Sequence, residues 1–412
     1  MKQTVLTIIT KIDPQRTGQL KGILAEIESD LCNNSYLPFS QISLVHFASF
    51  VIMDQPAAPS ILVFENNFDG DLSDYLDQLL SVAPDGMNQI YQCCIGYQPQ
   101  SLKAFLTAHV VLPNAYHIGN VGRTALDISC NRDLRVKLQD YLDQETSLAK
   151  PSTLSAGEFR KNIQGFTKDK IDLKLSSPLP PHQTFSERLV PWINLIAFGL
   201  LLIVLAVGLF PITIILIIIL RQKEKSDKPL DNQSSAAHVD LLMSTENQIA
   251  QNHLASITDI KPGKFRLYTL KFVLFAVNLV ARVCTHGTLS GIPSIHFAHW
   301  SIINNKQLLF FSNFDGSWVS YLDDFIDKAA TGLTGVWTNA VGFPETRFLV
   351  LDGARDELHF KAFARNMQVP SQVWYSAHPD LTVQNIDRDS AMREGIWTDL
   401  SETDTKQWLK LF

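Results

Sequence analysis

The sequence predicts an α+β fold made of two copies of one unit, with a long apolar segment between them. The tetrapeptide Asn-Phe-Asp-Gly occurs at Asn67–Gly70 and again at Asn313–Gly316, and Tyr-Leu-Asp follows both copies at the same distance. The apolar segment, Leu189–Leu220, contains no charged residue. A composition of 46% apolar and 18% charged residues is typical of globular domains and not of disordered chains.

Six matches in the same order along the chain define the repeat. Among them, HFASFVI at His46–Ile52 corresponds to HFAHWSI at His296–Ile302, and Leu6–Pro14 corresponds to Leu254–Pro262. The second copy carries an insert, Pro344–Asp356, that the first copy lacks. Because agreement in order is stronger than any single match, we expect both copies to share one fold.

These features divide the 412 residues into five parts. We predict a first repeat at 1–150, a linker at 151–188, a membrane segment at 189–221, a polar linker at 222–248 and a second repeat at 249–412. Each repeat is long enough to bury a core of its own.

The predicted element order within each repeat is strand, helix, strand, strand, helix, helix, strand. The first repeat opens with the strand TVLTIITKI, and periodicity predicts an amphipathic helix near Gln19–Leu31. Two strands joined by a turn follow in each copy, with predicted bounds Ile42–Met53, Ile61–Glu65, Ser294–Ile303 and Gln307–Ser312. A late strand at Ala115–His117 or Val373–Tyr375 closes the unit. This order is the ferredoxin-like plan, an antiparallel sheet with helices on one face.

The second strand of each repeat is apolar on both faces. Alternation places His46, Ala48 and Phe50 on one face, and Phe47 and Val51 on the other. Since helices cover only one face, the other face needs a partner, and the sheet of the other repeat is the simplest one. We therefore predict that the two sheets pack face to face, either within one chain or across a homodimer.

The apolar segment predicts association with a lipid bilayer, which about 20 apolar residues suffice to cross. Two arrangements stay open: one long helix kinked at Gly208–Pro211, or a hairpin that turns there and leaves by the same face. Packing of the repeats on each other favours the hairpin. The flank RQKEKSDK, with four basic residues, predicts that the soluble repeats are cytoplasmic.

Composition excludes several classes of function. A net charge of −6 without a long basic stretch gives no support for nucleic-acid binding. The five cysteines form no CxxC pair, which favours reduced thiols. The sequence contains no GxSxG, HExxH, P-loop or GxGxxG motif, and no convergent set of metal ligands is predicted.

His46 and His296 are the histidines at equivalent positions of the two repeats. They predict either a pocket between the sheets, with a role as proton shuttle or haem ligand, or core histidines that are hydrogen-bonded to backbone. We name His46, Trp300 and Phe314 as candidate ligand-binding residues.

Asn-Phe-Asp-Gly also has a purely structural interpretation. Asp69 and Asp315 stand just before a helix, where a carboxylate can accept the free N–H groups of the first turn. The asparagine is expected to hold the turn, the phenylalanine to anchor the helix start, and the glycine to allow the tight backbone. The charged run Leu351–Asn366 adds Arg355 as a candidate, against the alternative of a solvated helix face.

Tandem ferredoxin-like repeats resemble the dimeric α/β-barrel superfamily and, within it, the dye-decolourising haem peroxidases. That resemblance implies haem as cofactor and His296, Asp315 and Arg355 as catalytic residues. Asp315-Gly316 matches the last two positions of the Gly-x-x-Asp-Gly motif of those peroxidases, whereas their proximal histidine has three candidates here, His296, His359 and His378. The sequence segments NFDGSW and YLDDF also resemble those of a family of uncharacterised membrane-associated proteins.

Three functional hypotheses follow from these observations. The first is a membrane-associated protein that binds a small apolar or lipid-like ligand between its sheets. The second is a haem-dependent, peroxidase-like oxidoreductase. The third is a non-catalytic scaffold in which the repeats mediate assembly.

Overall fold

The computed structural model describes residues 2–55, 58–148, 155–170, 185–230, 234–283 and 288–412. It confirms the α+β class, with two antiparallel sheets of five strands each. The strands are β1 Gln3–Lys11, β2 Val45–Met53, β3 Ile61–Asp69, β4 Val110–Val111, β5 Ala115–Ile118, β6 Gln251–Asp259, β7 Ile295–Ile303, β8 Gln307–Asp315, β9 Thr346–Arg347, β10 Leu351–Asp352, β11 Gln368–Val369 and β12 Val373–Ser376.

The helices cover the outer faces of the sheets and form the connections. They are α1 Thr17–Ser29, α2 Leu72–Val82, α3 Pro84–Tyr91, α4 Leu102–Ala108, α5 Ala125–Leu148, α6 Ala156–Lys170, α7 Phe185–Gly208, α8 Phe210–Lys225, α9 Ala236–Met243, α10 Lys264–Val283, α11 Trp318–Trp337, α12 Glu357–Met367, α13 Val383–Trp397 and α14 Glu402–Trp408. Cys32, Cys93 and Cys94 are free thiols, and Cys284 lies outside the described residues.

Each sheet takes its fifth strand from the other half of the chain. The strand orders are β12-β2-β3-β1-β4 and β11-β6-β8-β7-β5. In the second sheet Ala115 of β5 pairs with Trp300, and in the first sheet Val373 of β12 pairs with Phe50. The prediction that the late strand closes the sheet of its own repeat is wrong. The two-residue strands β4 and β11 take that position, and the strands that follow them, β5 and β12, pair with the sheet of the other repeat. The crossing strands cover the edges of β2 and β7, which would otherwise offer unpaired backbone groups.

Apolar side chains from both sheets meet in the layer between them. Val51 and Val63 of the first sheet share a cluster with Leu309 and Phe311 of the second. Two larger clusters lie on the helix-covered faces, one in each half. Both faces of each sheet are therefore buried, as the two-sided apolar strands predict.

The predicted hairpin turn between β7 and β8 is confirmed. Asn304 and Asn305 have φ angles of 52° and 53°. They are the two central residues of a turn in which the Lys306 N–H donates to the Ile303 carbonyl at 3.0 Å. Asparagine tolerates the left-handed conformation better than most residues.

The apolar segment forms two helices, α7 and α8, which are separated at Leu209 within the predicted kink. Many large apolar side chains on both helices are exposed, including Leu200, Ile203, Val207 and Ile212. Within the described ranges, no helix is both long enough and apolar enough to cross a membrane. Residues 171–184 of the predicted linker lie outside the described residues.

Gly119 offers a test of the strand exchange, because it follows β5 directly and its N–H donates to the His296 carbonyl at 2.8 Å. A Cβ atom at Gly119 would lie 2.3 Å from the Ile295 carbonyl oxygen. We expect Gly119→Ala to lower the free energy of unfolding by about 1–3 kcal/mol, because backbone cannot move aside cheaply. Urea unfolding measures the change.

The matched control is Gly22→Ala on the exposed face of helix α1, where a Cβ meets nothing within 4 Å. This control should raise stability by about 0.5–1 kcal/mol, since alanine is the better helix former. Equal stability of the Gly119→Ala variant and the wild type would contradict the close contact between β5 and β7.

Candidate functional site

His46 and His296 reach the layer between the sheets through β-bulges. His46 lies where the pairing register shifts between Val45 and Phe47, and His296 lies at the equivalent shift in β7. The extra residue reverses the alternation of side chains, so Val45 packs in the helix-side core while His46 lies beside Phe297, with ring centroids 5.3 Å apart. The prediction of unbroken alternation through this histidine is wrong for this reason.

Each histidine forms a hydrogen-bonded pair with the aspartate of the repeated tetrapeptide. His46 Nε2 lies 2.9 Å from Asp69 Oδ1, and His296 Nε2 lies 2.7 Å from Asp315 Oδ1. The second oxygen of Asp69 accepts the backbone N–H of Ala125 at 2.8 Å, at the start of α5. The second oxygen of Asp315 accepts the N–H at the start of α13, also at 2.8 Å. Each carboxylate therefore joins a strand end, a histidine and a helix N-terminus.

The prediction that these carboxylates cap the helix directly after the tetrapeptide is wrong. The helix after the tetrapeptide takes no side-chain cap from Asp69, and in the second repeat Ser317 caps it instead. The aspartates cap the helix that follows each exchanged strand, because the exchange brings that helix to the end of β3 or β8. The glycine prediction is confirmed, with φ angles of 84° at Gly70 and 79° at Gly316.

A small cavity of about 10 Å³ lies between the two histidine–aspartate pairs. Its lining is nearly symmetric and consists of Gln3, His46, Phe47, Asn120, Ile128, Gln251, His296, Phe297, His378 and Ile386. Gln3 and Gln251 make equivalent bonds, each donating to the loop that leads into α5 or α13. The cavity has room for about one water molecule at most, so the chemistry available here is hydrogen bonding and proton transfer among the lining groups.

A second buried polar cluster in this layer is asymmetric. Glu65 accepts hydrogen bonds from Ser49 at 2.9 Å, Asn67 at 2.8 Å and Asn313 at 3.1 Å. Both asparagines were expected to hold the turn, but they point between the sheets and bridge to this carboxylate. His253 Nε2 lies 3.6 Å from Glu65.

Sequence reasoning missed this cluster, which also includes His299 at 4.0 Å from Glu65. The available signal was the polar run Glu65–Asn67, which directly follows four apolar residues of the strand. In the described part of the chain, no group of three or more histidine, cysteine or acidic side chains is arranged to hold a metal ion.

Burial lowers the pKa of several histidines. It lowers the pKa of His117 and of His299 to about 4, and for His299 the nearby Glu65 opposes the effect. For His378, burial and then the charges of His46 and His296 lower the pKa to about 3. These histidines are neutral in the folded protein near neutral pH, because a buried imidazolium would lose its hydration.

The predicted catalytic residues do not form one site. His296 and Asp315 are in contact, whereas Arg355 lies at the end of a short helical turn, Gly353–Arg355, on the helix-covered side of the second repeat. Phe314 is buried in the core, stacked on Tyr321 with centroids 3.8 Å apart.

Trp300 lines a second, larger cavity on the helix-covered side of the second repeat. The volume of this cavity is about 330 Å³, and its walls are α10, α11 and the insert residue Val350. Apolar side chains dominate the lining, among them Phe272, Val277, Phe325 and Leu333. The Trp300 indole N–H is buried and has no acceptor in the described part of the chain. A cavity of this size is at the lower end of the range of about 300–1,000 Å³ for small-molecule sites.

The corresponding position in the first repeat is closed by backbone. A side chain at Gly86 of α3 would meet the Tyr36 carbonyl oxygen at 1.8 Å, whereas nothing lies within 4 Å of a side chain built at the equivalent Gly332. Helix α10 has 20 residues against 13 in α1, and its extra turn contributes Val280 to the cavity. The cavity is therefore a feature of the second repeat that the sequence matches did not reveal.

The residues around His296 do not fit a haem group. Asp315 occupies its Nε2 atom, and the cavity beside it holds about 10 Å³. A porphyrin at this position would have to displace Phe47 and Phe297, which pack against each other with centroids 5.8 Å apart. No reaction step through a haem follows from this arrangement.

The lowered histidine pKa values predict an acid-sensitive fold. As pH falls below about 6.5, the unfolded chain binds protons that buried His117, His299 and His378 cannot bind. The free energy of unfolding should therefore decrease by about 1.4 kcal/mol per pH unit for each of them, until pH nears the folded pKa. Urea unfolding at several pH values between 7 and 5 measures this slope.

His299→Phe removes one of these groups and should reduce the slope contributed by the three histidines by about one third, while the stacking on Phe311 is kept. His359→Phe is the matched control, because His359 is exposed and ion-paired with Asp356. An unchanged slope in His299→Phe would contradict a neutral buried histidine at this position.

Comparison with known proteins gives no family assignment. No family model matches the chain, and no curated protein matches it.

Proposed function

We propose that the chain is a membrane-associated protein of two ferredoxin-like repeats that binds a small apolar or lipid-like ligand. The observation that supports this proposal is the apolar cavity of about 330 Å³ in the second repeat. A ligand was expected between the sheets, but that layer is filled by packed side chains such as Val63, Leu309 and Phe311. We therefore propose that the ligand binds on the helix-covered side of the second repeat.

The exposed apolar helices lie against the wall of this cavity. Phe198 of α7 contacts Phe272 and Phe275 of α10, with ring centroids 5.8 and 5.3 Å apart. Phe272 also lines the cavity. Exposed apolar surface of this extent is typical of a site of membrane or protein contact. A ligand that partitions into a bilayer would thus be concentrated beside the cavity.

Helix α8 is anchored to the insert of the second repeat. Buried Glu224 accepts the backbone N–H groups of Phe348 and Leu349 at 3.0 and 2.7 Å. These two residues have left-handed φ angles of 50° and 72°, a conformation that costs about 1–2 kcal/mol per residue and is stabilised here by the charged acceptor. Arg221 adds a hydrogen bond to the Thr346 carbonyl at 2.9 Å. The helix pair is therefore held in a defined position beside the cavity.

Strand exchange supports the hairpin arrangement over a single span. β5 and β12 each cross to the other sheet, so both repeats belong to one folded unit. A single span would separate the repeats by a bilayer, which is incompatible with this pairing. A hairpin, or helices lying at the interface, keeps both repeats on one side, which we propose is the cytoplasmic side, as the basic flank after Leu220 predicts.

Ligand binding is tested with the neutral fluorophore N-phenylnaphthylamine, whose emission rises in apolar sites. We expect saturable binding by the wild type and at least about tenfold weaker binding by Ala276→Phe, because this substitution fills part of the cavity. Titration followed by fluorescence gives both dissociation constants.

Ala104→Phe is the control for this experiment, since Ala104 lies on the exposed face of helix α4 and does not line the cavity. Absence of saturable binding, or equal weakening by both variants, would rule out the cavity as the ligand site.

Membrane association is tested by co-flotation with phosphatidylcholine vesicles. We expect the wild type to float and the double variant Ile203→Glu, Val207→Glu to remain below, because each carboxylate at an apolar interface costs several kcal/mol. The control double variant Leu112→Glu, Leu358→Glu changes side chains of similar exposure outside the helix pair. Loss of flotation in both double variants, or in neither, would contradict contact through α7.

A further inference from the structure

We propose that the ligand of the apolar cavity is an amphiphile with an anionic head group, which Arg355 binds at the cavity rim. This inference rests on the proposed function and specifies the chemical class of the ligand. It follows from a polar cleft that adjoins the cavity and from the position of one cation in that cleft.

The cleft shares a wall with the apolar cavity. Ser290, Ala329, Thr331 and Gly332 line both. The cleft has a volume of about 450 Å³, and its other lining residues include charged side chains, whereas the cavity is lined almost entirely by carbon. A single molecule could therefore place an apolar chain in the cavity and a polar head in the cleft without crossing a packed layer.

Arg355 is positioned at this cleft by the insert that only the second repeat contains. Its turn is bonded to helix α11, because the Ala354 N–H donates to Thr334 Oγ1 at 3.0 Å. Gly353 has a φ angle of 54°, and a Cβ there would lie 2.5 Å from the Thr334 side chain. The backbone that carries Arg355 is thus packed closely against α11, while the arginine side chain itself is exposed.

The charge balance of the cleft leaves Arg355 available for an anion. Lys328 is engaged by Asp324 at 2.6 Å. Arg355 makes no hydrogen bond or ion pair in the described residues. It interacts with the Asp352 carboxylate only electrostatically, and Arg347 binds both oxygens of that carboxylate. Asp327 also lines the cleft and opposes an anionic ligand. A guanidinium that is not hydrogen-bonded to a carboxylate is suited to bidentate binding of a carboxylate or phosphate.

The two features specific to the second repeat therefore meet at one rim. A Cβ at Gly86 of the first repeat would meet backbone, whereas the equivalent Gly332 lines both the cavity and the cleft and has nothing within 4 Å of a Cβ. The insert supplies Val350 to the cavity wall and Arg355 to the cleft. An apolar pocket with a cation at its mouth fits a single acyl chain that ends in an acid.

The experiment compares dodecanoate with dodecanol as competitors of N-phenylnaphthylamine on the full chain, at a pH where the carboxylate is ionised. We expect dodecanoate to bind about tenfold more tightly than dodecanol. Arg355→Gln should remove this preference by weakening dodecanoate alone, and Asp327→Asn should increase it. Lys264→Gln, an exposed cation at the far end of α10, is the matched control and should change neither competitor.

The outcomes separate this inference from the proposed function. Equal affinity of the two competitors, or a preference that survives in Arg355→Gln, would overturn the anionic head group and leave the apolar cavity as ligand site. Failure of both competitors to displace a bound probe would overturn an acyl-chain ligand, and absence of probe binding would overturn the cavity itself. Dodecyl phosphate as a third competitor then distinguishes a carboxylate head from a phosphate head.

Discussion

The exchange of one strand between the two halves is the constraint on which the rest of the structure depends. β5 and β12 complete the opposite sheets, and the helix after each strand then lies over the end of the sheet that its own half began. Asp69 and Asp315 fasten these helices by their first N–H groups. The helices α5 and α13 in turn contact each other, with Asn131 bonded to both Ser390 and Arg393. Opening either sheet would therefore disturb the junctions of both.

The layer between the sheets shows how a duplicated fold can diverge to prefer one pairing. Where the first repeat has Val5, Ser49 and Glu65, the second has His253, His299 and Phe311. A pair of first repeats would bury two facing carboxylates, and a pair of second repeats would bury histidines without an acid. When unlike repeats pair, Glu65 accepts hydrogen bonds from side chains of both sheets. The buried carboxylate is therefore not left without compensating partners.

The second repeat carries the features that point to a ligand. Its first helix is longer, α11 runs unbroken where Pro84 divides the corresponding part of the first repeat, and its insert anchors α8. These changes leave an apolar volume beside Trp300 and place a pair of apolar helices against its wall. The first repeat keeps a filled core and completes the second sheet.

The sequence by itself determined the repeat, the α+β class and most element positions. Periodicity is local, so β2 was predicted within three residues of its start at Val45, and the tight backbone at Gly70 followed from residue type alone. Only the tertiary structure decided which sheet receives β5, which helix Asp69 caps 56 residues away, and where a cavity remains. The physical reason is that a sequence pattern records which side chains are buried, but not which surface buries them. Partners distant in the chain, and the space left between them, depend on how the whole chain packs.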